Sequence, residues 1–136
     1  MAGRSPRKEL IAGNLLLVAL LVVHTLDHVL RQDAPVPSAT AFAGLAGIVA
    51  AVFALGLALA GHRRAPAGTA FVGIATAVGF VALHVFPEWS VFSQPYADID
   101  ADAISWTAMI VPAIVGVGVG AIGVRAARSQ QFSARS

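Results

Sequence analysis

A bundle of four membrane-spanning helices is the fold this sequence predicts, and three observations carry the expectation. The 136 residues are 57% hydrophobic and only 12% charged, whereas a soluble domain carries about 25% charged residues. A chain of this length has too little interior to hide so much apolar surface from water. The apolar residues fall into four runs, each long enough to cross a bilayer. The segments between the runs alternate in charge, basic then acidic, as the loops on the two sides of a membrane do. The fold class is therefore all-α: an integral membrane four-helix bundle, one four-span domain over residues 1–136.

The chain opens with a short basic segment holding Arg4, Arg7 and Lys8. Leu10 to Leu30 is then almost wholly apolar, about 31 Å of helix at ~1.5 Å per residue. A basic start before an apolar core also describes a signal peptide. Here the run is too long, and Val23 is followed by His-Thr-Leu-Asp-His rather than by small residues, so a retained first helix is expected over 10–30. Asp33, Pro35 and Pro37 then mark a loop.

The second helix is expected over 39–60. Its small residues recur at Ala43, Gly47, Ala51, Ala54, Ala58 and Gly61, a spacing that lets a neighbouring backbone come close. Gly61-His62-Arg63-Arg64-Ala65-Pro66 reads as a tight basic turn, and His62 as an ordinary turn residue. The third helix, 68–86, is the shortest run and ends at Pro87. The longest loop follows, with Trp89, Phe92 and Tyr96, and Trp106 just beyond it, interleaved with Asp98, Asp100 and Asp102. Such aromatics suit the headgroup level of a membrane. The fourth helix is expected over 104–124, kinked at Pro112, with a close-packing stripe at Gly116, Gly120 and Gly123. A polar basic tail closes the chain, and tails of this kind are mobile.

The charges set an expected orientation. Every basic residue except Arg31 lies in the N-terminal segment, the 61–66 turn or the C-terminal tail. The acids Asp33, Glu88, Asp98, Asp100 and Asp102 lie in the other two loops. By the positive-inside rule both termini are cytoplasmic and the acidic loops face outside. The high isoelectric point, near 9.9, is thus a consequence of topology and not a nucleic-acid footprint. The partners expected are the lipid bilayer and either other membrane subunits or a second copy of the chain. A composition rich in Ala, Gly, Val and Arg points to a bacterial plasma membrane.

The stretch with the most chemistry is Val23-His24-Thr25-Leu26-Asp27-His28-Val29-Leu30-Arg31. On a helix His24, Asp27, His28 and Arg31 fall at about 0°, −60°, +40° and −20°, so all four share one face. His84 lies near the end of helix three, at the same side of the membrane, with Glu88 just past it. Three imidazoles and a carboxylate form a ligand set for zinc or another first-row divalent ion, and an ionisable group inside a span is a functional candidate. His24, Asp27, His28, His84 and Glu88 are the expected metal ligands.

Each feature also has a plainer account. Asp27 and Arg31 at i, i+4 form an ordinary ion pair, and the histidines then bond to carbonyls or water. The chain would in that case be a non-catalytic accessory or assembly subunit of a larger membrane complex. Axial ligation of a haem by His24 and His84 is a weaker alternative. Asp98, Asp100 and Asp102 alternate like the start of a calcium loop, but the central glycine and terminal glutamate are missing, so a solvated acidic loop is expected. Asn14, on the His24 face, is expected to bond between helices. The absence of cysteine excludes disulfides, thiolate metal sites and cysteine nucleophiles. No nucleophile–base pair, phosphate-binding loop or Glu-x-x-His motif occurs. An enzyme using a metal to activate water is a further option that the sequence neither requires nor excludes.

Overall fold

The computed structural model describes residues 5–133, with the side chain of residue 133 left aside. Arg4 and Arg135, counted above for orientation, lie outside the described residues. The architecture is all-α. Helix α1 spans Pro6–Leu30, α2 Ser38–Leu59, α3 Ala65–Phe80 and α4 Ala103–Ser133. A π-helical turn, Val81–Val85, extends α3. All four helices, α3 taken together with its π turn, are long and apolar enough to cross a membrane. Large apolar residues such as Phe42, Phe53, Phe71 and Ile114 are more than two-thirds exposed. An outward face of this kind suits lipid and not water, as for a multi-pass membrane protein.

Helix α1 starts at Pro6 and α3 at Ala65, a few residues before the apolar runs begin. Both carry proline in the first turn, where its missing N–H costs no intrahelical bond and its fixed φ suits a helix. Helix α4 continues through Pro112 and on to Ser133, so the tail expected beyond 124 is helical for two further turns. Arg125 in that extension meets Glu9 of α1 at 3.0 Å, which gives the extra turns a partner.

The α2–α3 connection closes on Gly61, whose φ of 64° is the left-handed value glycine tolerates. His62 N–H donates to Leu57 C=O and Gly61 N–H to Ala58 C=O, the bonds of a Schellman ending. Arg7 of α1 reaches the Ala58 and Leu59 carbonyls, placing a cation at the negative end of α2.

Helices α3 and α4 make the most extensive contact, and glycine is the cause. A Cβ placed on Gly123 would stand 2.3 Å from Ala70 N, and one on Gly73 2.3 Å from Gly120 N. The stripe at Gly116, Gly120 and Gly123 is thus used inside the chain, against α3. Asn14, fully buried, donates to Thr69 Oγ1 of α3 at 2.7 Å and to Leu10 C=O at 2.8 Å, the interhelical bond expected of it. Helix α2 is the most peripheral, with 17% of its apolar window buried. Its small residues divide in two. Ala51, Ala54 and Ala58 are packed. A side chain on Gly44 or Gly47 would meet no described atom within 4 Å, so in that half small residues create space and do not draw a neighbour in.

Candidate metal centre

Three histidines converge at the end of the bundle that carries the two acidic loops. One ligand atom from each of His24, His28 and His84 lies within 4.8 Å of the other two. The ring centroids are 4.6 Å apart for His24–His28, 5.3 Å for His24–His84 and 5.5 Å for His28–His84. His24 is 8% exposed and His84 5%. These rings are close enough to hold one metal ion.

Local structure explains the convergence. His24 and His28 sit one helical turn apart on α1, on one face. His84 comes from the π-helical turn at the end of α3. A π turn winds more residues into each turn and shifts the faces of those that follow, and such turns recur at functional sites. The loop beyond then folds back over the site: Gln94 N–H donates to Leu83 C=O at 2.8 Å and Tyr96 N–H to His84 C=O at 2.9 Å. Ser93, Gln94, Pro95 and Tyr96 are buried as a result. Tyr96 was expected at the headgroup level; it is fully buried, with its ring 4.8 Å from His84 and 5.5 Å from Trp106.

Two of the imidazoles have a hydrogen-bonded outer partner that orients them. His84 Nδ1 meets the Gln94 carbonyl at 3.1 Å. A carbonyl only accepts, so Nδ1 carries the proton and Nε2 the lone pair. His28 Nε2 meets Tyr96 Oη at 3.2 Å, and Gln32 Nε2 donates to the same oxygen at 3.2 Å. The His24 ring lies by the Ala108 backbone of α4. The Ala108 carbonyl is one that Pro112, lacking an N–H, leaves without its helical donor. Nδ1 of His24 and Nδ1 of His28 are buried and have no hydrogen-bond partner among the described residues. Buried nitrogens of this sort call for an explanation, and a shared ion provides one. The donor set also fits: ligating histidines characteristically spend their second nitrogen on a carbonyl or similar outer group.

The other two expected ligands stand elsewhere. Asp27 is buried at 4% exposure, but both its oxygens are engaged. Oδ1 accepts from Arg31 Nε at 3.1 Å and Oδ2 from Gln32 Nε2 at 3.0 Å. A buried carboxylate draws the nearest guanidinium, here one turn further along the helix. Among the described residues, the hydrogen bonds of Asp27 lead to His28 through Gln32 and Tyr96. Glu88, beyond Pro87, is exposed and outside the three-histidine group. His24 and His84 meet edge to face, and do not flank a slot in which a porphyrin would lie.

Outside the span, the electrostatics are simple. Burial pushes the Tyr96 phenol up to about 12, so it remains a neutral hydroxyl. Asp102 Oδ1 accepts from Ser105 N–H at 2.9 Å and Ile104 N–H at 3.0 Å, capping α4, while Oδ2 pairs with Arg31 at 2.7 Å. The Ser105 N–H and Arg31 hold its carboxyl below the usual range. Asp102 is thus a helix cap and not part of a calcium loop.

Tyr96, Gln94, Gln32 and Ala108 are the site residues that sequence reasoning missed. Only Ala108 had a legible signal, because proline at 112 frees the carbonyl four residues earlier. No protein-family model, no curated protein and no solved structure matches this chain.

Proposed function

We propose that this chain is a membrane metalloprotein that holds one divalent first-row ion, zinc being the best fit, on His24, His28 and His84. Both termini are cytoplasmic in this reading and the site lies near the outer surface. The observation that carries it is the approach of imidazole ligand atoms from two buried histidines, His24 and His84, and the half-buried His28 to within 4.8 Å of one another, two of the rings having an unpartnered buried nitrogen. Three neutral nitrogen ligands are the set of catalytic zinc sites, which keep a further position open, where the ion acts as a Lewis acid. Tyr96 and Gln94 would orient the His28 and His84 rings. Asp27, through Gln32, would hold the Tyr96 hydroxyl in place, and Arg31 would balance its charge.

The test is metal content and a melting curve of detergent-purified protein with zinc, copper, iron(II), manganese or a chelator. Zinc bound to the folded state alone should stabilise it by about 2.7 kcal/mol at a hundredfold excess over the dissociation constant. His28→Ala and His84→Ala should abolish the shift; His62→Ala, on the α2–α3 turn, should leave it intact. A wild-type protein that carries no metal and whose melt no metal moves would end this reading. The cluster would then be an Asp27–Arg31 ion pair beside packed histidines, as in the accessory-subunit account.

A further inference from the structure

A cavity of roughly 540 Å³ lies between α1, α2 and α3 and has His24, His28 and His84 at one end. Its size is that of a small-molecule site. It is partly open, and Leu45 and Phe71 in its lining are 60% and 68% exposed. They belong to the apolar spans, so the mouth faces lipid. The remaining lining is almost entirely apolar. Two of its three threonines are engaged: Thr25 donates to Leu21 C=O at 2.9 Å and Thr40 to Phe92 C=O at 2.8 Å, and Thr76 on α3 adds one hydroxyl. Apart from these threonines, the polar side chains of the lining are the three histidines, which stand together at one end.

We infer that this cavity takes the tail of a long-chain carboxylate, entering from the bilayer, whose head group reaches the ion on the three histidines. The inference rests on the metal reading above. Charge selects the head. Three neutral imidazoles leave a divalent ion its full positive charge, and the nearby buried carboxylate, Asp27, is already paired with Arg31. A neutral donor such as water can fill the open position of such a site, but only an anionic oxygen also offsets the charge of the ion. The tail adds no hydrophobic gain, since lipid is as apolar as the cavity wall. The tail's role is fit and access, and the affinity comes from the head.

The probe is a palmitate analogue with a photoreactive diazirine on its tail, added to the zinc-loaded full chain in phosphatidylcholine nanodiscs. Zinc content is measured on the same samples. Crosslinks should map to the cavity-facing part of α2 around Gly44 and Gly47. Excess palmitate should suppress them; methyl palmitate, with the same tail and no charge, should not. Zinc removal should also suppress them. Gly47→Leu fills open space and should lower labelling about tenfold while zinc content stays at the wild-type value and the melt is not lowered. Gly118→Leu, at another open glycine, should change nothing. Competition by methyl palmitate, even labelling over all lipid-facing helices, or full labelling of a zinc-loaded Gly47→Leu protein would overturn the inference and leave the metal reading standing. A wild-type chain without zinc would overturn both, and the zinc measurement tells the two failures apart.

Discussion

Replacing Tyr96 with phenylalanine removes a single oxygen from the site. The ring contacts with His84 and Trp106 remain, so no cavity opens. What is lost is the hydroxyl that meets His28 Nε2 and Gln32 Nε2, each at 3.2 Å. Gln32 keeps its bond to Asp27 at 3.0 Å, so His28 bears most of the loss. Both lost bonds are long, which puts the stability cost without metal near the low end of the range, about 1 kcal/mol. The cost in metal affinity should be larger, ten- to hundredfold, because the outer partner fixes the ring and its tautomer. At zinc a hundredfold above the wild-type dissociation constant, the wild type gains about 2.7 kcal/mol from the ion. The variant would gain about 1.4 kcal/mol at a tenfold loss and about 0.4 kcal/mol at a hundredfold loss. The assay is a zinc titration against a chromophoric chelator, paired with melts with and without zinc. Wild-type zinc affinity in Tyr96→Phe would refute the argument that Tyr96 positions His28. Complete loss of zinc, matching His28→Ala, would exceed what a positioning partner accounts for and would refute the ten- to hundredfold range.

Gly123→Ala should destabilise the protein by about 1–3 kcal/mol through overpacking, since its Cβ would press on the Ala70 backbone. Gly118→Ala has open space and should be neutral or gain up to about 1 kcal/mol of helix propensity; equal melts for the two would mean that α3 and α4 do not touch there. Asp102 has its carboxyl held low by the Ser105 N–H, so its cap contributes fully above the unfolded carboxylate value of 3.8 and is lost as pH falls through the depressed folded value. An acid melt series should therefore show an acid-side loss that Asp102→Asn lacks, and identical profiles would rule the cap out. A reporter fused after Ser136 should be active only in a cytoplasmic format; activity only outside the cell would reverse the proposed orientation.

Much of this protein is legible in its sequence. Four spans follow from run length and hydropathy alone, because lipid obliges each crossing segment to satisfy its own backbone as a helix. The α4 glycine stripe announced a close contact. The i, i+4 spacing of His24 and His28 fixed their shared face, and the depth of His84 suggested that it joined them. The sequence left the outcome at Asp27 open. Its angle on the helix allowed it to face the histidines or Arg31, and the choice depends on which partner is within side-chain reach.

Only the tertiary structure decided the rest. Spacing along α1 does not say that α3 ends in a π turn, which brings His84 round to meet α1. Nor does a loop of polar and aromatic residues reveal that 93–96 folds inward, which makes Tyr96 and Gln94 partners of the histidines and not headgroup anchors. The small residues of α2 looked alike in sequence, yet one half packs and the other borders a cavity, because closeness depends on where the neighbouring helix lies. Periodicity along a chain determines which residues share a face. What that face meets is set by helices and loops distant in sequence, and at this site those long-range contacts place the groups around the histidines.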